Sequence, residues 1–423
     1  MYRGYLQLGQ TELANSTRTV TYMRNGVRNT STEVVTDDSW PLLPWLLGRE
    51  SEWSLPSQDD DCPWYDATDP ASAEFAGVWP MMVEGLDADP IEREVVEAAT
   101  DGGGFGDRRT PPRTITVEAL LIAQTPAGLK YGIGWLNSVL REHEPRDLTF
   151  LNSAPPVDPM MSSANVVDVA VGEMRMVSSV VLTSELTVDE QFSVWTAEGR
   201  GATSARVSFE LTAGVPWVWR LPQTLVEDLR PFAGVPQSVI FDSATPPELV
   251  ASSASILTDP EQSPLTTLPR PVTSAAALGM YPIESKRLVW ELEVGTLSRW
   301  FDTLPTVIVR TGASAERAVR IQWVPGIVTD LDADLSRQAV GEALIRYIPA
   351  RATLTLDAVT GDATAVTSDG RVLDATPVTT GRRGGPWRAP VLSSTQTYSL
   401  VIDVERDVDP EVSVQVDALV RGQ

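Results

Sequence analysis

The feature that most limits the fold is a series of short apolar segments in the C-terminal half, separated from one another by turn residues. Turn signals such as Thr360-Gly361-Asp362, Asp369-Gly370 and Asp409-Pro410 stand between them. Segments of this length and spacing predict β-strands joined by short turns, and their number is typical of a β-sandwich. The predicted strands are residues 287–294, 306–311, 318–324, 343–348, 353–356, 398–404 and 412–420.

The N-terminal half predicts further strands and one prominent helix. Residues 113–123 alternate apolar and polar side chains, as a half-buried strand does, and residues 4–9, 174–183 and 205–211 are strand-like. A helix is predicted over residues 127–143, with Thr125 as N-cap and Pro126 in its first turn. Gly132 and Gly134 weaken this helix and predict a close approach to another backbone. The fold class is therefore mainly β with one prominent helix.

A Trp- and Pro-rich arm is predicted over about residues 36–100, after a β-branched run at residues 17–22. Its mixture of Trp and Pro is more typical of a long ordered loop than of a regular element. Burial of such large side chains would pin this loop to the rest of the molecule. The tryptophans are Trp40, Trp45, Trp53, Trp64 and Trp79.

The length of 423 residues, with 32 Pro and 29 Gly, predicts more than one β-rich domain. Residues 222–273 are rich in Pro, Ser and Thr, and we place a boundary near Gly234. The predicted domains are residues 1–234, with the arm, and residues 235–423. Since Cys62 is the only cysteine, an intramolecular disulfide is excluded.

The net charge of -24 argues against a general affinity for nucleic acid or anionic membranes, because neutralising phosphates needs a surplus of Lys and Arg, and no sequence-specific nucleic-acid binding is expected. The first residues do not resemble a signal peptide, and no run of eighteen apolar residues occurs. We therefore expect no membrane anchor.

The glycine-rich stretch at residues 102–106 does not match a phosphate-binding loop. No Lys follows it, and Asp107 stands where a dinucleotide-binding loop has its third Gly. We interpret the stretch as a flexible turn before the strand that begins at Arg113. No cofactor site is predicted.

Catalytic residues are not predicted either. His143 is the only histidine and is expected at a helix end, between Glu142 and Glu144, where it interacts with the helix dipole. Cys62 follows a run of three Asp residues, which would raise the pKa of its thiol and suppress the thiolate. Carboxylate pairs for glycoside hydrolysis stay open, because sequence does not give their separation.

The strongest metal candidate is Asp330-Leu-Asp332-Ala-Asp334, which begins like a calcium loop. It then departs from that pattern, since Leu335 stands where the turn needs Gly and Gly341 where a bidentate Glu belongs. We interpret these carboxylates as solvated turn residues and predict no metal site.

Trp387 has two interpretations: a core or interface residue, or an exposed platform for a sugar ring.

Several segments together resemble the minor tail proteins of long-tailed phages that infect actinobacteria. The N-terminal matches are "GYLQLGQTELANSTRTVTYMRNG", "CPWYDATDPASAEFAGVWP", "DGGGFGDRRTPPRTITVEALLIAQTPAGLKYGIGWLNSVLREH" and "SFELTAGVPWVW". "ATLTLDAVTGDATAVTSDG" and "GGPWRAPVLSSTQTYSLVIDV" look like the second domain of that class. Cysteines that often follow the "YGIGWLNSVLR" helix in the family are missing here, so any bridging or metal role does not transfer.

The resemblance implies a distal tail protein: a ring-forming N-terminal β domain and a galectin-like C-terminal β-sandwich. The implied function is a structural ring adaptor between tail tube and distal tip or baseplate, assembled in the host cytoplasm and located in the virion tail tip. Implied partners are other copies of the chain, as a hexamer, and the tail tube, tape measure and other tail-tip proteins. The alternative is an adhesion module that binds a cell-surface glycan. The third hypothesis is a cell-wall hydrolase. The sequence has no histidine-rich or zinc-ligand pattern that would support it.

Overall fold

The computed structural model describes residues 2–26, 39–97, 103–157, 162–193, 203–240, 282–298, 300–330, 335, 338–381 and 384–422. The chain forms two compact units, Met1–Leu221 with Gly422–Gln423, and Pro222–Arg421. The boundary predicted near Gly234 stays a prediction, because compactness within the folded chain does not show which segment folds alone. The mainly β class is confirmed, since most elements are antiparallel strands.

The first unit contains an antiparallel sheet with helices beside it. The helices are α1 (Ser16–Asn25), α2 (Leu43–Leu46), α3 (Pro126–Leu140) and α4 (Ser163–Glu173). The strands are β1 (Tyr5–Leu8), β2 (Thr11–Asn15), β3 (Phe75–Glu84), β4 (Val95–Glu97), β5 (Gly103–Phe105), β6 (Arg113–Ala123), β7 (Arg146–Leu151), β8 (Met174–Leu182), β9 (Thr187–Ser193), β10 (Thr203–Ala213) and β11 (Val218–Arg220).

Strand β6 has the bounds that its alternation predicts. It pairs with β10 along its whole length, from Thr203 opposite Ala123 to Ala213 opposite Arg113. Ile115 and Leu121, on the predicted apolar face, are buried in the core of the first unit. The alternation was informative because one face of the strand packs on this core.

The β-branched run at residues 17–22 is helical, as part of α1, although such residues favour strands. Its start is fixed by Asn15, whose side chain accepts a hydrogen bond from the N–H of Arg18 at 2.9 Å. The hydroxyls of Thr19 and Thr21 donate to the carbonyls of Asn15 and Thr17, so both are satisfied within the helix. The cap and burial of Val20 and Met23 outweigh the strand preference.

The predicted helix is confirmed as α3, which ends at Leu140 rather than at residue 143. Thr125 caps it by accepting a hydrogen bond from the N–H of Gly128 at 3.1 Å. A Cβ at Gly132 would lie 2.3 Å from the ring of Phe75, so this glycine permits close packing, but against a side chain rather than against the backbone that was predicted. The same expectation is wrong for Gly134, where nothing lies within 4 Å of a Cβ.

The arm is not a loop throughout. It contains β3, which pairs with β6 and has register shifts beside Gly77 and Pro80. A proline is tolerated in a strand at an edge or a bulge, and among the described strands β3 pairs only with β6. The presence of Pro80 therefore concealed the strand.

Aromatic packing fixes the arm to α3, as predicted. Trp64 packs edge-on against Tyr22, Phe75 and Trp135, with ring centroids 6.0, 5.2 and 5.5 Å apart. Tyr131 of α3 donates its hydroxyl to the carbonyl of Trp64 at 2.7 Å. Trp45 is the exception among the arm tryptophans at 39% exposed, whereas Trp40, Trp53, Trp64 and Trp79 are buried.

The second unit contains two antiparallel sheets. Their orders are β13-β14-β22-β16-β17-β21 and β12-β23-β15-β18-β19-β20. The strands are β12 (Gln223–Leu229), β13 (Val235–Ile240), β14 (Pro282–Leu292), β15 (Thr303–Arg310), β16 (Glu316–Pro325), β17 (Gly341–Ile348), β18 (Ala352–Leu356), β19 (Ala363–Thr367), β20 (Val372–Asp374), β21 (Thr379–Gly381), β22 (Tyr398–Glu405) and β23 (Ser413–Gly422).

Both sheets contribute to one buried core. Val307 and Val309 of β15 belong to the same apolar cluster as Ile321 and Trp323 of β16, which lies in the other sheet. Each predicted strand of this half overlaps one of the strands given above. The shared core explains why the apolar alternation of these segments was readable from sequence.

Candidate interaction surface

The single histidine does not occupy the helix end that the sequence predicts for it. His143 is exposed beyond the end of α3, where its Nδ1 lies 3.1 Å from the carbonyl oxygen of Arg141. The expected place in the last helical turn is therefore wrong. Glu142 instead forms an ion pair with Arg146, at 2.7 Å.

Cys62 is buried in the first unit, next to Arg18. Burial raises the pKa of its thiol to about 11, while the positive charge of Arg18 acts in the opposite direction. The predicted direction is confirmed, but the main cause is burial rather than the preceding aspartates. A thiol in this state is a poor nucleophile at neutral pH.

No metal centre is visible in the part of the chain that the structure describes: no group of three or more His, Cys, Asp or Glu side chains is placed to hold an ion there. Asp330 lies within that part, but Asp332 and Asp334 lie outside it. The expectation that the chain binds no metal stays a prediction.

Of the described helices, none is both long and apolar enough to cross a membrane.

Trp387 is a core residue. Its side chain is 2% exposed and belongs to the shared core of the second unit. The interpretation as an exposed sugar platform is therefore wrong at this position. The sequence left both interpretations open, because it does not show which way this side chain points.

An ion-pair cluster around the buried Arg18 links the arm to α1. Arg18 Nε lies 2.9 Å from Glu12 Oε1, and Arg18 Nη2 lies 3.0 Å from Asp61 Oδ2. Its guanidinium also lies over the ring of Trp53, 4.8 Å from the centroid, and Arg49 stacks on the same indole at 5.5 Å. These contacts neutralise Arg18 in its buried position, so removal of one partner would leave an uncompensated buried charge.

The most unusual surface of the first unit is a short ribbon that we call the apolar hairpin, residues 91–97 and 103–109. Val95 of β4 lies opposite Phe105 of β5, and Glu92 forms a bridge with Arg109. Phe105 is 72% exposed and Val95 is 61% exposed, and Ile91 and Val96 are exposed as well. Because Val95 and Val96 point to opposite faces of the strand, both faces of the ribbon present apolar side chains to solvent.

The hairpin corrects the interpretation of the glycine-rich stretch. Gly102 lies outside the described residues, but Gly103–Phe105 is strand β5 rather than a flexible turn. Its backbone pairs with Val95–Glu97, and glycine permits the pairing while contributing no side chain. The Val95-Val96 pair between charged residues was the sequence signal for a strand here, and the arm interpretation passed over it.

A second exposed element is strand β9. Among the described strands it pairs only with β10, and it carries the exposed side chains of Val188 and Phe192. A sheet edge with exposed apolar side chains favours pairing with another chain. The apolar hairpin and the β9 edge are therefore two separate candidate contact surfaces of the first unit.

Comparison with known proteins gives distant structural likeness only. No protein-family model matches the chain. No curated protein matches it either. The Dit protein of phage SPP1, described as a paradigm of the hub adsorption apparatus in phages that infect Gram-positive bacteria, is similar with 13% identity over 79% of this chain and 94% of that chain, at a TM-score of 0.31.

The baseplate of phage P2 is similar as well. In its activated conformation with Ca, the match has 8% identity over 85% of this chain and 93% of that chain, at a TM-score of 0.37. For the baseplate in its activated conformation with Sr, the match has 9% identity over 84% of this chain and 92% of that chain, at the same TM-score of 0.37. TM-scores below 0.5 leave the function of this chain to be argued from its own residues.

Proposed function

We propose that this chain is a structural protein of the virion, a distal or minor tail protein at the tail tip of a long-tailed phage that infects actinobacteria. It acts as a ring adaptor between the tail tube and the distal tip or baseplate, and it performs no catalytic step. The segments that resemble this class cover much of the first unit and part of the second, and the mainly β fold in two units is in keeping with it.

The observation that carries the proposal is the apolar hairpin. A two-stranded ribbon is at best marginally stable alone in water, and here both of its faces present apolar side chains. Covering Phe105 and Val95 would remove apolar area from water, with a gain of about 25 cal/mol per Å². A contact surface on a neighbouring molecule accounts for these side chains.

The proposed neighbour is a second copy, with the β9 edge as the receiving surface. The hairpin and β9 are different parts of one unit, so a contact between them is heterologous rather than self-complementary. Such a contact repeats around an axis and closes into a ring when its rotation divides the circle. Six copies would match the symmetry expected of a tail tube, and residues 1–234 would form this ring.

Further partners in this proposal are the tail tube, the tape measure and other tail-tip proteins, joined during assembly in the host cytoplasm. The net charge of -24 suits a passage through which DNA slides without adhering. Residues 235–423 would form the galectin-like sandwich that follows the ring.

Native mass spectrometry of the purified full chain tests the proposal. The expected result is a discrete oligomer of six copies, formed by the chain alone or on addition of tail tube protein. Phe105→Ser combined with Val95→Ser should shift the distribution to monomers, because it removes apolar area from the hairpin. Val372→Ser is the matched control, since Val372 is an equally exposed Val of the second unit, and it should leave the oligomer intact.

A wild-type chain that stays monomeric both alone and with tube protein would overturn the proposal. An oligomer that persists in the double variant would contradict the role of the hairpin while leaving self-assembly itself in place.

A further inference from the structure

The second unit has a groove of about 590 Å³ beside the open end of strand β14. We call it the Trp290 groove. This volume lies in the range of small-molecule sites. The residues that line it come from β12, from β14 and from the turn after β14, and they are Thr224, Leu225, Val289, Trp290, Glu291, Glu293, Thr296 and Leu297.

Trp290 lines this groove, and its side chain is half exposed. Side chains two residues apart in a strand share a face, so Trp290 lies on the face of β14 that carries Leu288 and Leu292. Leu292 is buried in the shared core and Leu288 packs against it, but Trp290 is 47% exposed. A large flat ring is thus left half in solvent inside a concave wall.

The groove follows the backbone edge of β14. Val289, Trp290 and Glu291 are consecutive, and they can line one groove only if it runs along the edge that they share. On this edge β13 pairs with β14 as far as Arg287, and past that residue no described strand pairs there. Backbone N–H and C=O groups therefore join the hydroxyl of Thr224 as polar groups for a ligand.

The charge of the groove is negative. Glu291 and Glu293 are exposed, and none of the lining residues in the described chain is Lys or Arg. An anionic ligand would therefore be repelled, whereas hydroxyl or ammonium groups can donate to these carboxylates. This arrangement excludes phosphate-rich and uronic-acid polymers as the favoured ligand.

We propose that the Trp290 groove binds a carbohydrate without anionic groups. The C–H face of a sugar ring stacks on the exposed face of Trp290, and its hydroxyls bond to Glu293, beyond the end of the strand, and to the open backbone edge of β14. An added protein strand is the competing occupant, but the open edge ends at the turn Val294–Thr296 and would hold only a short one. This inference does not depend on ring assembly, because it concerns only the second unit.

A glycan array with the full-length chain tests the inference. It should carry neutral hexose oligosaccharides, amino-sugar oligosaccharides and oligosaccharides with uronic or sialic acids. We expect signal on the first or second class and none on the third. Trp290→Ala should lower that signal about tenfold, and Glu293→Gln should weaken it less, because it keeps an acceptor oxygen.

Trp300→Ala is the matched control. Trp300 is 79% exposed in the same unit, but it is not part of the groove lining. Its replacement should leave the signal unchanged, and equal melting temperatures of all variants exclude unfolding as a cause. Because the chain is strongly acidic, amino sugars could adhere by charge alone, and a signal that survives Trp290→Ala would overturn the inference.

Absence of any neutral or amino-sugar signal, or a preference for the anionic class, would overturn it as well. If Trp290→Ala instead alters assembly with another tail protein and the array stays silent, the groove holds a protein segment and the carbohydrate assignment is wrong. None of these outcomes tests the contact made by the apolar hairpin, because the variants at Phe105 and Val95 test that contact separately.

Discussion

Gly132 and Gly134 differ in what surrounds them, although both stand in the same helix. Phe75, which a Cβ at Gly132 would meet, is itself fully buried and packs against Trp64, so its ring cannot move aside. We expect Gly132→Ala to lower the free energy of unfolding by about 1 to 3 kcal/mol, because it overpacks this contact. Gly134→Ala should raise it by about 0.5 to 1 kcal/mol, since Ala is the better helix former and the site is open.

Urea denaturation of both variants, followed by fluorescence, checks this pair. Equal changes in the free energy of unfolding would mean that helix propensity alone determines the effect of each substitution. Phe75 would then not pack closely on α3 at Gly132.

Glu316 predicts a pH dependence of the second unit. Its carboxyl is buried, and burial raises its pKa from an ordinary value of 4.5 to about 7, with repulsion from Asp409 and Glu405 adding to the effect. Because the folded pKa lies above the unfolded one, this contribution to stability is complete below the unfolded pKa and is lost as the pH rises through about 7. Glu316→Gln should therefore raise the melting temperature at about pH 8.5 more than at about pH 5.

Scanning fluorimetry at the two pH values measures this difference. Glu227→Gln, at an exposed position of β12, is the control and should change neither value. A variant that is equally destabilised at both pH values would show that the hydrogen bond from the Asp409 N–H to Glu316, at 3.0 Å, matters more than the titration.

At the residue scale the sequence predicted the cap at Thr125 and the alternation of β6 well, and side-chain exposure poorly. The cap at Thr125 depends only on neighbours along the chain, so its pattern was visible. Whether Trp387 or Trp290 faces solvent depends on residues far apart in sequence. Trp387 was considered as an exposed platform and is buried, whereas Trp290, within a predicted strand, is exposed.

The element that depends most on a single side chain is the arm. Arg18→Met would leave Glu12 buried without its cation, and we expect a loss of about 3 kcal/mol. Residues 39–65 should then become sensitive to limited proteolysis, because Trp53 also loses one of the two guanidinium groups that lie over its ring. Mass spectrometry of the fragments locates the cleavage.

Arg230→Met serves as control for that prediction. Arg230 pairs with Asp228, and both side chains are more than half exposed, so removal should cost less than about 1 kcal/mol. An unchanged cleavage pattern in Arg18→Met would mean that aromatic packing around Trp64 holds the arm without the ion-pair cluster.

Element prediction succeeded where one face of an element packs on a continuous core. β6, α3 and the strands of the second unit have a clear apolar period for this reason. β3 escaped prediction because Pro80 stands in it, and α1 because its threonines favour strands. β4 and β5 have no buried face in the described structure, so no burial pattern marked them.

At the scale of the whole molecule, the two units divide the proposed work. Exposed apolar side chains of the hairpin and of β9 favour contacts between copies through the first unit, and the Trp290 groove lies in the second unit. Neither the exposed apolar side chains nor the Trp290 groove was evident from composition. A net charge and a strand pattern predict solubility and fold class, whereas contact surfaces depend on which apolar residues the core leaves uncovered.

Immunogold electron microscopy of intact phage particles, with an antibody against this chain, tests the structural role most directly. The account predicts label at the distal end of the tail, where the tube meets the tip, in wild-type particles. Label along the capsid, or particles that lack the chain altogether while it is abundant in the infected cell, would contradict a structural place at the tail tip.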